Sequence, residues 1–70
     1  MQKLAIVNND TKGLLNVNEA AIKLGVSPKT IRKWQHEGKL PYVKLFGAVR
    51  FDFHDLERLI RQSRVSKEIN

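Results

Sequence analysis

Between Ala20 and Phe51 the chain carries Lys23, Lys29, Arg32, Lys33, Lys39, Lys44 and Arg50, opposed only by Glu37. The remaining residues balance, six basic against six acidic, so the whole net charge of +6 belongs to this middle stretch. A cation cluster between neutral ends is the footprint of a polyanion site. Within it Lys29, Arg32, Lys33 and His36 recur at three- and four-residue spacing, which on a helix gathers them on one side. On charge alone, a solvated helix face in a basic protein is the other reading.

Other chemistries find little support in the residue types. There is no cysteine, so neither a disulfide nor a cysteine-based zinc site is available. His36 and His54 have no cysteine to join them, and no metal or cofactor is expected. No nucleophile–base pair, carboxylate pair or phosphate loop stands out, so the chain does not read as an enzyme. Asp52 and Asp55 are better explained as residues that open a helix. The apolar run Leu4 to Val7 is too short for a signal peptide, and no stretch approaches the roughly 18 apolar residues of a membrane span. A soluble, cytoplasmic protein is expected. Seventy residues make one small domain with a thin core.

The elements that must position these cations are written in caps and periods. Asn16, with Glu19 three residues on, reads as the capped start of a helix whose apolar stripe is Val17, Ala20, Ala21 and Leu24. Gly25 ends it. Ser27 caps a second helix with Pro28 in its first turn, and Val26 and Ile31 are spaced as a hydrophobic staple. Ile31 and Trp34 then define its buried side, with Lys29, Arg32, Lys33 and His36 opposite, and Gly38 closes it.

After Leu40-Pro41 the period changes to two. Val43, Leu45, Val49 and Phe51 alternate with Lys44, Phe46, Ala48 and Arg50, which predicts a two-stranded hairpin turning at Phe46-Gly47. A third helix starts at Asp52, with Asp55 at its third position, a Phe51–Leu56 staple, and Phe53, Leu56, Leu59 and Ile60 as its apolar side. The fold class expected is mainly α with a small β-hairpin: helix, tight turn, helix, wing, helix. Residues 1–13 form a lead-in, either disordered or with a short edge strand at Leu4 to Val7. Residues 14–62 are the domain and 63–70 a tail.

A tight turn between two short helices, the second one basic, is the layout of a DNA-binding helix-turn-helix. The run LLNVNEAAIKLGVSPKTIRKWQHEGKLP, followed by VKLFGAVRFDFHDLERLI, resembles the small winged helix-turn-helix proteins of the excisionase kind, related in fold to the DNA-binding head of MerR-type regulators. The shared pieces run in order from Glu19-Ala20-Ala21 through Leu24-Gly25-Val26-Ser27 and Thr30-Ile31-Arg32-Lys33-Trp34. Gly38-Lys39-Leu40-Pro41, Arg50-Phe51 and Asp55-Leu56 follow. The resemblance implies binding of double-stranded DNA without catalysis, in a bacterial host and at its nucleoid. It also implies a task in which an excisionase bends DNA and assists an integrase or other recombinase, further copies of the chain lying alongside. Small transcriptional regulators share the fold.

By motif position, Ser27, Lys29, Thr30, Arg32, Lys33 and His36 would belong to the recognition helix and Lys44, Phe46, Gly47 and Arg50 to the wing, with Lys39 a phosphate contact. The wing tip departs from the family's usual Gly-Gly followed by basic residues, since Phe46-Gly47-Ala48-Val49 stands there. Phe46 has two courses open, against the DNA or back onto the protein. MerR-type regulators add a long dimerisation helix and an effector domain; with neither expected here, no small-molecule effector is expected. A basic adaptor for an acidic protein or membrane surface is the rival that needs no DNA.

Overall fold

The computed structural model describes residues 13–65. The strand expected at Leu4 to Val7 lies outside those residues, as does the tail beyond Val65. The elements are β1 (Leu14–Leu15), α1 (Val17–Leu24), α2 (Pro28–His36), β2 (Val43–Leu45), β3 (Ala48–Asp52) and α3 (Phe53–Gln62). No helix among the described residues is long and apolar enough to cross a membrane.

The capping residues set where α1 and α2 begin and end. Asn16 Oδ1 accepts the Glu19 N–H at 2.8 Å, and Glu19 Oε1 accepts the Asn16 N–H at 2.8 Å, a complete capping box. At the other end Gly25 takes φ +70°, a conformation that strains any residue with a Cβ. The Val26 N–H bonds the Ala21 carbonyl at 3.0 Å and the Gly25 N–H that of Ile22 at 3.2 Å, the paired bonds of a Schellman motif. Ser27 restarts the chain at once: its Oγ accepts the Thr30 N–H at 3.2 Å, ahead of Pro28. α2 closes on the same motif, Lys39 N–H to Trp34 carbonyl at 2.8 Å and Gly38 N–H to Gln35 carbonyl at 3.1 Å.

Leu15, Ala20, Ala21, Ile31, Leu40, Phe51 and Leu56 form the core. The two small alanines let α2 close on α1, and Ile31 is fully buried in the core that the two helices help to form. Phe51 and Leu56, the expected staple, are both fully buried, and Asp52 Oδ1 caps α3 by accepting the His54 N–H at 2.7 Å. Trp34 was expected on the buried side with Ile31; it is half-buried and packs against the core from its margin.

The sheet differs from the expected hairpin in two respects. It has three strands in the order β1-β3-β2, all antiparallel, with Leu14 opposite Asp52 and Leu15 opposite Phe51. A bond from the Phe53 N–H to the Gly13 carbonyl, 2.7 Å, extends that pairing. Two residues are too few to display a period, which is why β1 was invisible in the sequence.

The second correction concerns facing. The turn at Phe46-Gly47 has two residues, with φ +49° and +89°, the signs of a type I′ turn. It sets Leu45 opposite Ala48, Lys44 opposite Val49 and Val43 opposite Arg50. Opposed residues share a face, so Val43 and Leu45 lie with Ala48 and Arg50 on the outer side, not with Val49 and Phe51. Both are exposed accordingly. Three helices with this three-stranded sheet make a winged helix-turn-helix.

Candidate nucleic-acid interface

α2 turns Ile31 inward, which leaves Lys29, Arg32, Lys33 and His36 exposed together on its outer side. The expected inward and outward sets are therefore separated by the helix itself. Lys29 and Arg32 make no ion pair among the described residues. Ser27 is exposed and Thr30 half-buried, and their hydroxyl oxygens lie 3.0 Å apart, sharing one hydrogen bond.

At the C-terminal end of the helix the charge is not free. Glu37 Oε2 lies 3.5 Å from Lys33 Nζ and Glu37 Oε1 lies 3.2 Å from Lys39 Nζ. The hydrogen bond from Lys39 leads, with Lys33 assisting, in holding the Glu37 carboxyl below its ordinary range, so it is ionised at neutral pH. The i, i+4 spacing of Lys33 and Glu37 was legible in the sequence; the share taken by Lys39 depends on the Schellman turn.

Lys23 leaves the basic patch altogether. Its Nζ lies 2.5 Å from Glu57 Oε2 and 4.1 Å from the centre of the Phe53 ring, and its side chain is four-fifths buried. It clasps α1 to α3. The hydrogen bond from Lys23 also holds the Glu57 carboxyl below its ordinary range. A lysine counted with the polyanion footprint is a structural strut.

On the wing, Lys44 and Gly47 are exposed, while Arg50 is half-buried with Nη1 donating to its own Val49 carbonyl at 2.7 Å. Lys44 and Arg50 were grouped as one alternating set; the register puts them on opposite faces. Phe46 is fully solvent-exposed at the tip, so the course back onto the protein is not taken. It is also the one non-glycine residue at positive φ among those described. An aromatic side chain held there costs about 1 kcal/mol. Among the described residues no three His, Cys, Asp or Glu side chains come together.

A scan against family models matches residues 14–64 to the helix-turn-helix domain. No curated protein and no solved structure matches the chain. The matched stretch takes in both helices of the turn, the whole sheet and α3. With its cations mounted on the second helix of that turn, the chain belongs to the helix-turn-helix domain family and is a DNA-binding protein of that kind.

Proposed function

We propose that the chain binds double-stranded DNA sequence-specifically, with α2 in the major groove and the β2–β3 ribbon at the neighbouring minor groove. The observation that carries this is the opposition on α2 of a buried Ile31 to exposed Lys29, Arg32 and Lys33. Arg32 reads guanine, its planar fork bonding O6 and N7 together. Lys29 and Lys33 meet bases or phosphates, while Ser27, Thr30 and Lys39 suit phosphate at the two ends of the helix. His36 completes the face without a required contact.

The ribbon's two-sidedness has a use in this setting. A ribbon entering the minor groove edge-on turns one face to each phosphate strand, so Lys44 and Arg50 serve one strand each. Phe46, with Gly47 beside it, packs against a sugar or wedges at a base step.

The finer reading is an excisionase that bends DNA and assists a recombinase in cutting out a phage or mobile element. It is supported by the resemblance of the motif order from Glu19 to Leu56. A small domain covers one short site, so useful specificity calls for repeated sites, neighbouring copies or a recombinase partner. Arg61 and Arg64, both exposed, offer a surface for that contact. A small transcriptional regulator shares every residue of this reading, and an excision assay with and without the protein separates the two.

Fluorescence anisotropy with a duplex, compared against heparin and anionic liposomes, tests the broader reading. Preference for the duplex is expected. Equal binding to all three would favour a basic adaptor instead.

A further inference from the structure

Glu37 is the single acidic residue between Ala20 and Phe51, and it stands among the cations it opposes. Each of its carboxylate oxygens holds one lysine, Lys33 at 3.5 Å and Lys39 at 3.2 Å. Helix stability gives it little reason, because a negative charge at the C-cap meets the negative end of the helix dipole, which offsets the small gain from its i, i+4 pair with Lys33. Packing does not account for it either, since the residue is exposed. Both lysine side chains are about two-thirds exposed, so these are solvated pairs, readily exchanged for another anion.

We propose that Glu37 is a built-in competitor for the phosphates that Lys33 and Lys39 would meet, and that it thereby sets the strength of sequence-independent DNA binding. This rests on α2 being the DNA-facing helix. As a duplex approaches, each lysine exchanges a carboxylate oxygen for a phosphate oxygen. The released carboxylate sits within a Debye length of about 8–10 Å of the backbone, repels it and takes up a cation. Net counterion release is then smaller than the number of lysines engaged. Arg32 and Lys29, outside this bridge, are left to dominate the discrimination between sequences.

The test uses a short labelled duplex of mixed sequence, so no target site is needed. Wild type, Glu37→Gln, Glu37→Ala, Lys39→Gln and the Glu37→Gln/Lys39→Gln double variant are titrated by anisotropy across a salt series, with circular-dichroism melts of each. Both neutral variants at position 37 should bind about two- to tenfold more tightly at low salt, with a steeper salt dependence. Lys39→Gln should weaken binding more in the Glu37→Gln background than in wild type, because only there is Lys39 free beforehand. Unchanged or weaker binding by both neutral variants would overturn the proposal, as would strictly additive effects of positions 37 and 39. A wild-type protein that does not bind the duplex overturns the reading of α2, and this inference with it.

Discussion

The recognition helix and the ribbon present their cations by different rules. On α2 every third or fourth residue returns to one side, so Lys29, Arg32, Lys33 and His36 share a face wherever the helix starts. On the ribbon, facing within a strand alternates, but facing between strands depends on the parity of the turn. The two-residue turn at Phe46-Gly47 pairs odd positions with even ones and sends Lys44 and Arg50 to opposite sides. A helix therefore displays a charge pattern that can be read locally, while a ribbon displays one that is fixed only once the register is known.

The sharpest way to break that contrast is through stability. Phe51→Ala removes a fully buried side chain from the inner face of β3 and should cost about 3–5 kcal/mol, enough to unfold a domain this small. Leu45→Ala, on the outer face and half-exposed, should stay within about 0.5 kcal/mol. Denaturant melts followed by circular dichroism decide it; equal losses would put Leu45 on the inner face and the register in error.

Binding sharpens the same contrast at a smaller magnitude. Arg32→Ala should cost about 1–3 kcal/mol on a selected site and relax preference at one base pair, whereas Lys44→Ala should weaken all sequences alike. Site selection from a random duplex pool, followed by titration, measures both. If both variants lose equally on selected and random DNA, the helix and the ribbon do not divide the work.

At the wing tip, Phe46→Asn replaces an aromatic residue at φ +49° with one that the type I′ turn favours, and should stabilise the fold by about 1 kcal/mol. The same change should weaken duplex binding. Tighter binding with the added stability would remove Phe46 from the interface.

The smallest effect belongs to the Lys23–Glu57 clasp and is a matter of pH. The Lys23 ammonium holds the folded Glu57 carboxyl below its ordinary value of 4.5, so its contribution to stability is full above that ordinary, unfolded-chain value and is lost as pH falls through the lowered one. Melting temperatures between neutral pH and the acid limb should show this loss, and Glu57→Gln should flatten that part of the profile.

What the residues disclosed in advance follows from the range of the forces involved. Asn16 with Glu19, Gly25, Ser27 with Pro28, and Asp52 act within a turn of themselves, so the helix boundaries could be read from neighbours. Phe51 and Leu56 were legible for the same reason. Lys23 could not be assigned, because its partners Glu57 and Phe53 come from the far side of the fold. Leu15 and Leu40 joined the core unannounced, the first through a two-residue strand and the second from a loop. In the candidate site the helix face was legible and the wing's facing was not, the difference being one of register alone.

The central claim is that α2 and the ribbon meet the phosphate backbone together. The measurement that tests it most directly is the dependence of duplex affinity on salt. With about five phosphate contacts, less the cation that Glu37 takes up, log K should fall against log[salt] with a slope of about −3 to −4, steepening to about −4 to −5 in Glu37→Gln. A flat response would contradict the account.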